Sequence, residues 1–178
     1  MIITLEEAQS INPNITQDDL DAFESSIREL TNNNFQNTYV RFKHVSIEAP
    51  NTIRTKEPIK GIRIGDTVEV NYSPFNDGLF VVDEILENTI KVQGEPFIEE
   101  LGDKNLMVTL VKYPPDIKRG VKKLIEYDKK MSGKIGIKSE TISRMSTTYY
   151  DVTATENTDG YPSALLSFLK KYEKMRWG

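Results

Sequence analysis

The side chains of this sequence offer little of the chemistry that a catalytic or metal site needs. His44 is the only histidine, the chain has no cysteine, and neither a serine-based motif nor a metal-ligand spacing surrounds the histidine. These counts exclude thiol nucleophiles, thiolate zinc sites, disulfides and any site that requires two histidines. Because His44 lies in an alternating, strand-like segment, we interpret it as a satisfied or surface side chain.

Adjacent carboxylates and clustered glycines do not supply a catalytic site either. Asp18-Asp19 and Glu99-Glu100 are sequence neighbours, whose side chains do not face each other on a helix or a strand. We expect both pairs to be solvated, with Asp19 capping a helix. The glycines at 133 and 136 lack the order of a phosphate-binding loop. The sequence therefore predicts no enzymatic activity, no cofactor and no metal.

The N-terminal third is predicted to be helical and acidic. Thr4 and Thr16 each precede an acidic residue by three positions. This capping-box pattern predicts helices over about 5–10 and 17–31. The apolar residues of the second helix recur at helical spacing and form one face: Leu20, Phe23, Ile27 and Leu30.

Residues 35–113 have the pattern of an all-β module. Apolar residues alternate with a period near two, and turn residues recur every eight to twelve positions. Strands this short must hide their edges, which favours a small SH3-like β-barrel over a flat sheet. The candidate strands run over 39–47, 59–64, 67–72, 79–86, 89–92 and 106–112.

The last third returns to a helical pattern. Pro114-Pro115 ends the β module and predicts a helix with a basic surface over about 116–131. A long polar stretch follows, with one strand-like run over 141–152. A final helix is expected to open at Pro162.

The predicted fold class is therefore α+β. A small helical domain of three to four helices, formed by residues 1–34 and 114–178, is interrupted by the inserted SH3-like β-barrel at 35–113. No apolar run approaches the 18 residues of a membrane span, and the first residues lack a basic region leading into an apolar stretch. These features predict a soluble cytoplasmic protein.

Charge is segregated along the 178 residues. The total of −4 divides into −6 for residues 1–34, −3 for 35–113 and +5 for 114–178. The acidic balance of the β module favours a spacer or protein-contact unit over a phosphate-binding one. The acidic and basic helices could attract each other within a subunit, meet across a subunit boundary, or present solvated faces.

The C-terminal segment combines large apolar groups with cations. The apolar residues are Leu165, Leu166, Phe168, Leu169, Tyr172, Met175 and Trp177, and the basic ones are Lys170, Lys171, Lys174 and Arg176. This composition is that of a binding anchor, and packing on the chain's own core accounts for it equally well.

Four segments, taken in order, carry a resemblance to a known family. They are Ile3-Thr4-Leu5-Glu6-Glu7-Ala8, Tyr113-Pro114-Pro115-Asp116-Ile117-Lys118, Ile137-Lys138-Ser139-Glu140-Thr141-Ile142-Ser143-Arg144-Met145-Ser146-Thr147-Thr148-Tyr149 and Tyr161-Pro162-Ser163-Ala164-Leu165-Leu166-Ser167-Phe168-Leu169-Lys170-Lys171-Tyr172. In these parts, roughly 1–34 and 113–178, the sequence resembles the head-tail connector (adaptor or head-completion) proteins of long-tailed bacteriophages. The run from Ser139 to Tyr149 is the most distinctive piece.

The resemblance implies a structural virion protein of the phage neck, assembled in the host cytoplasm. Its subunits would form a ring of twelve under the portal protein of a DNA-filled head, with a stopper or tail-completion protein on the opposite side. DNA would pass through the ring without specific binding, and the free chain could be a monomer. No membrane is involved.

The resemblance also implies roles for two sets of residues. A portal-binding anchor would comprise Leu165, Phe168, Leu169, Lys170, Lys171, Tyr172, Lys174, Met175, Arg176 and Trp177. An inter-subunit or tunnel loop would comprise Lys134, Lys138, Glu140, Arg144, Tyr149 and Tyr150. The β module of about 80 residues departs from simpler members of the family, and we expect it to project outward.

A second hypothesis is a nucleic-acid-binding regulator that uses the barrel and the basic helix at 117–130. It predicts binding to DNA or RNA that weakens steeply with salt. A third, a small hydrolase with carboxylate chemistry, has no support beyond the presence of Asp and Glu.

Overall fold

The described part of the chain forms two compact units. The computed structural model describes residues 1–100, 105–132, 139–142, 145–148, 157–158 and 160–175. Met1 and residues 34–112 make up the first, which we call the sheet unit. Residues 2–33 and the described part of 113–178 make up the second, the helical unit. The chain thus contributes to the helical unit both before and after the sheet unit.

The sheet unit is built on one seven-stranded antiparallel sheet. Its strands are β1 (Gln36–Lys43), β2 (Ser46–Glu48), β3 (Thr52–Arg54), β4 (Thr67–Asn71), β5 (Gly78–Leu86), β6 (Thr89–Val92) and β7 (Met107–Val111). They lie in the order β1-β7-β4-β5-β6-β3-β2. The outer strands are therefore β1 and β2.

Alternating apolar residues place one core on one face of this sheet. In β4, Val68 and Val70 lie opposite Leu110 and Val108 of β7, and all four are buried. Contacts extend this cluster across every strand, and its fully buried members include Val45, Ile47, Ile53, Val68, Val70, Ile90, Leu106 and Val108. The alternating apolar positions thus supply this cluster, and the intervening Thr67, Glu69 and Thr109 of β4 and β7 are buried as well.

The predicted turn at Gly65-Asp66 is present and depends on backbone that favours glycine. Gly65 has a φ of 84°, and its N–H donates to the carbonyl of Val82 at 2.8 Å. The Asp66 carboxylate accepts from the backbone N–H of Arg63 at 2.8 Å. Any other L-residue at position 65 would be strained in this left-handed conformation.

The prediction of a mainly helical domain interrupted by a small SH3-like β-barrel is wrong. The open seven-stranded sheet is the dominant element, and it does not close into a barrel. The expected strand over 39–47 is divided, because His44 has a φ of 55° and turns the chain between β1 and β2. Residues 59–64 form no strand, whereas β3 was not predicted.

The two outer strands of the sheet, β1 and β2, have structural features other than barrel closure that limit pairing with further strands. Ile47 of β2 exchanges backbone hydrogen bonds with Glu100 at 2.8 and 2.9 Å, which covers the outer side of that strand. A bulge interrupts β1 between Asn37 and Arg41. Bulges and short covered edges both limit unwanted pairing, so the assumption that short strands require a barrel does not hold.

Three helices form the first part of the helical unit: α1 (Leu5–Ile11), α2 (Gln17–Thr31) and α3 (Pro115–Met131). The predicted caps are confirmed. Thr4 Oγ1 accepts from the N–H of Glu7 at 3.2 Å, and Thr16 and Asp19 form a reciprocal capping box. No helix in the described ranges is long and apolar enough to cross a membrane.

The remaining described elements are short. The chain forms two hairpins, β8 (Ser139–Ile142) with β9 (Met145–Thr148) and β10 (Asn157–Thr158) with β11 (Tyr161–Pro162). A one-turn helix α4 (Ser163–Leu166) then continues into a 3₁₀ helix (Ser167–Tyr172). The tighter winding of the final turn differs from the regular helix that was predicted.

A buried polar group joins α2 to the start of α3. Glu24 is only 4% exposed, and its Oε1 accepts from the hydroxyl of Tyr113 at 2.9 Å. Burial and the Glu24 charge raise the pKa of Tyr113 well above its ordinary value, whereas the positive charge of Arg28 acts in the opposite direction. Tyr113 is therefore held protonated as a hydrogen-bond donor.

Candidate functional site

The C-terminal segment, residues 163–175, is docked on the helical unit. Leu166 and Leu169 are buried, and the 3₁₀ helix contacts both α2 and α3. Of the two explanations that the composition allowed, packing on the chain's own core therefore accounts for part of the apolar content. The side chains that remain outside this packing are the ones available to a partner.

Close approach of the segment to α3 depends on a glycine. Gly120 is buried, and a Cβ placed there would lie 2.2 Å from the ring of Phe168. The aromatic ring therefore occupies the space that any other residue's side chain would fill. A glycine in the interior of a helix costs stability, and this packing explains why it is present.

Asp116 at the start of α3 anchors the other end of the 3₁₀ helix. Its Oδ1 accepts from the hydroxyl of Tyr172 at 2.6 Å, and its Oδ2 forms an ion pair with Lys171. These two contacts, with Lys171 the larger influence, lower the pKa of Asp116. The same pairing raises the pKa values of Lys171 and Tyr172.

Two asparagines at the end of α2 hold the backbone that follows the 3₁₀ helix. Asn32 caps α2 in the left-handed conformation, and its Nδ2 donates to the carbonyl of Met175 at 3.1 Å. Asn33 Nδ2 donates to the carbonyl of Tyr172 at 3.2 Å, and the N–H of Lys174 donates to Thr31 at 2.8 Å. These contacts hold the main chain at Tyr172, Lys174 and Met175 and do not involve the side chains of Lys174 and Met175.

The residues of the predicted portal anchor consequently fall into groups. Leu169 is buried, and Leu165, Phe168 and Tyr172 are partly buried against the helical unit. Lys170, Lys171, Lys174 and Met175 are exposed, Met175 to 80%. Arg176 and Trp177 lie outside the described residues. We call the exposed group of Lys170, Lys174 and Met175 the C-terminal tip.

Most of the predicted inter-subunit or tunnel loop cannot be placed. Glu140 belongs to β8, where it is paired with Thr147 of β9. The other five residues, Lys134, Lys138, Arg144, Tyr149 and Tyr150, lie outside the described residues.

A cleft of about 400 Å³ lies between α2 and α3, and no pattern in the sequence predicted it. Its apolar walls include Phe23, Ile27, Leu30, Leu124, Ile125 and Leu166. Asp19, Asp128 and Tyr161 add polar groups. The apolar stripes on the two helices could be recognised in the sequence, but stripes alone do not reveal where two helices separate.

Asp128 is the carboxyl of this cleft whose pKa is raised. Its Oδ2 accepts from the hydroxyl of Tyr161 at 2.7 Å. Burial raises the pKa of Asp128, the Tyr161 hydrogen bond lowers it, and the charge of Asp19 raises it again. None of the acidic or His side chains in the described residues form a group of three that could hold a metal ion.

The structure shows the surroundings of the other titratable residues that the sequence analysis considered. Asp19 caps α2 as predicted. The prediction that Glu100 is solvated is wrong, because this carboxylate is buried and accepts from the Ser73 hydroxyl and, at 2.5 Å, from Asn76. His44 is exposed at the end of β1.

Asp128→Asn is expected to stabilise the protein at neutral pH, by up to about 1 kcal/mol for this partly solvated group. When the folded-state pKa of a carboxyl is raised, its ionisation destabilises the folded protein at pH values above that pKa. The effect vanishes at pH values below the pKa that the carboxyl has in the unfolded chain. The gain should therefore be present near pH 7 and disappear below about pH 4. The asparagine oxygen still accepts from Tyr161.

Urea unfolding midpoints of both proteins at pH 7 and pH 3.5 measure this effect. A loss of stability at pH 7, or a gain independent of pH, would contradict the assignment of burial as the main cause.

A scan against protein-family models gives no match, and a search of curated proteins gives no significant one.

Proposed function

We propose that this chain is a structural subunit of a phage neck, which binds a portal protein and forms a ring that joins the head to the tail-side stopper or tail-completion protein. Two features support the proposal. The first is the order of segments that resembles the head-tail connector proteins. The second is the C-terminal tip, which carries the argument from the structure.

The C-terminal tip has the properties of a docking element. Its backbone is held by Asn32 and Asn33 and its base by the packing of Phe168 on Gly120, so little backbone conformational entropy remains to be lost on binding. The exposed Met175, next to the exposed Lys174, provides an adaptable apolar contact beside a cation. An acidic pocket on the portal would complement it.

Reversing the charge of the C-terminal tip tests this proposal. Lys170→Glu/Lys174→Glu is expected to weaken binding to the portal protein encoded in the same genome at least tenfold, which is about 1.4 kcal/mol. The matched control is Lys118→Glu/Lys123→Glu, which makes the same charge change at exposed positions on α3. Sedimentation of purified portal rings with each variant, followed by electron microscopy, gives the readout.

The control variant also tests the second candidate function. Lys118, Arg119, Lys123 and Lys130 are exposed on α3 and form a basic surface that nucleic acid could contact. If the chain is a nucleic-acid-binding regulator, it binds DNA or RNA at low salt, Lys118→Glu/Lys123→Glu abolishes that binding, and the tip variant does not. Equal portal binding by the tip variant and the unmodified chain would overturn the anchor role.

A further inference from the structure

The two outer strands of the sheet differ in how they are covered. The outer side of β2 is bridged by Glu100. In contrast, β1 pairs only with β7 among the described strands. Besides that pairing, the N–H of Tyr39 donates to Asn37 Oδ1 within the same strand at 3.2 Å. An uncovered edge strand presents unpaired N–H and C=O groups to any extended chain that fits beside it.

A groove of about 500 Å³ runs beside this uncovered edge. One side is formed by β1 residues, which include Arg41, Phe42 and Lys43. The other is formed by Thr55, Lys56 and Glu57, which follow the end of β3. The groove therefore separates β1 from the chain that follows β3, at the place where the sheet remains open. An extended segment lying in this groove could pair its backbone with β1.

The lining of the groove is predominantly basic. Lys43, His44 and Lys56 are exposed, and Glu57 is the single acidic residue among the side chains that line it. The guanidinium of Arg41 is already engaged, since it donates to Thr109 and to Gln36 at 3.0 and 3.1 Å. Lys43 and Lys56 are thus the cations available to carboxylates of an incoming segment.

Lys43 and His44 also border a second groove, of about 810 Å³, at the end of β1. Tyr72, Pro74 and Met107 provide its apolar surface, and Tyr72 is 63% exposed. His44 and Tyr72 both have left-handed backbone, with φ of 55° and 66°. Left-handed backbone is uncommon at residues other than glycine. Because strain of this kind concentrates at binding sites, its occurrence at two residues of one groove favours a binding role for the groove.

We propose that the β1 edge accepts an extended acidic segment of a partner protein by strand addition. Main-chain hydrogen bonds to β1 provide affinity, carboxylates contact Lys43 and Lys56, and an apolar side chain near the end of the segment enters the Tyr72 groove. A polyphosphate chain cannot form the main-chain ladder, and the −3 charge of residues 35–113 disfavours it. A second copy of β1 would place like charges together. This inference is independent of the connector proposal.

A random library of displayed 12-residue peptides, selected on the full chain, tests the proposal. The expected result is at least tenfold enrichment of peptides with net negative charge and alternating apolar residues. For the best peptide, fluorescence anisotropy should show at least fivefold weaker binding to Lys43→Glu and to Lys56→Glu. The control, Lys112→Glu, changes an exposed lysine of the same unit beyond the other end of β1 and should bind normally.

Main-chain pairing is tested with N-methylated versions of the same peptide. Methyl groups on alternate residues, in either register, block one set of ladder hydrogen bonds, so at least one version should lose ten-fold or more in affinity. Equal binding of both versions overturns strand addition. Absence of acidic enrichment, indifference to the Lys43 and Lys56 changes, or tighter binding of a dT12 oligonucleotide than of the peptide overturns the choice of partner.

Discussion

Gly120→Val is expected to destabilise the helical unit by about 3 kcal/mol, because its side chain would occupy the space of the Phe168 ring. The ring would be displaced from α3, and burial of the neighbouring Leu166 and Leu169 would be weakened. Gly120→Ala should also destabilise, by about 1–2 kcal/mol. A loss of stability here is informative, since replacing glycine by alanine in a helix interior normally increases stability by about 1 kcal/mol.

A double-mutant cycle isolates the contact. In a Phe168→Ala background the obstructing ring is absent, so Gly120→Ala should change sign and stabilise the protein by about 1 kcal/mol. Urea unfolding measures all four proteins. If Gly120→Ala destabilises equally with and without the ring, the steric explanation is incorrect, and another constraint on position 120 must exist.

Removing the buried carboxylate of Glu24 is the second large effect that we expect. Glu24→Ala should cost about 3 kcal/mol, because it opens a cavity and leaves the Tyr113 hydroxyl without its acceptor inside the core. Tyr113→Phe should cost less, about 1–2 kcal/mol, since only the donor is lost. Glu24→Gln retains an acceptor of the same shape and serves as the control for volume.

The combination Glu24→Met/Tyr113→Phe distinguishes a hydrogen-bond effect from a packing effect. Replacing both partners with apolar groups of similar size leaves neither an orphan donor nor an orphan acceptor between them, so the double variant should be more stable than Glu24→Ala. Chemical denaturation at pH 7 provides the comparison. A double variant as unstable as Glu24→Ala would assign the cost to Arg28, whose charge also acts at Tyr113.

The helices could be predicted from local chemistry. Thr4 and Thr16 satisfy backbone N–H groups one turn ahead, and Pro115 has no N–H to lose at the start of α3. These signals depend on residues within four positions of each other. Sequence spacing alone is therefore sufficient to place the starts of α1, α2 and α3.

The sheet required information that spacing does not contain. An alternating pattern predicts that a strand has one buried face, but the turn at His44 depends on a left-handed backbone at a residue that seldom adopts one. Similarly, the cover over β2 is formed by Glu100, which lies 53 positions from Ile47 and looks like a surface residue in the sequence. Pairing between residues so far apart in the sequence determines whether the strands form an open sheet or a barrel.

The residue types of the candidate site could be predicted from the sequence, but their arrangement in space could not. The apolar and basic residues of the C-terminal segment could be recognised, yet their division between the core and the exposed tip depends on Gly120 and on the asparagines that follow α2. The cleft between α2 and α3 is likewise a property of packing, because its walls belong to segments about 100 residues apart.

The interrupted connectivity of the helical unit sets an order of events during translation. The sheet unit, apart from Met1, is contiguous and can complete its pairing once residue 112 has left the ribosome. In contrast, α2 meets the 3₁₀ helix only after about 140 further residues, roughly 10–30 s at typical synthesis rates. The apolar face of α2 must remain soluble for that time, and the five acidic residues within 17–29, together with Glu6 and Glu7, provide the charge that keeps a nascent chain from aggregating.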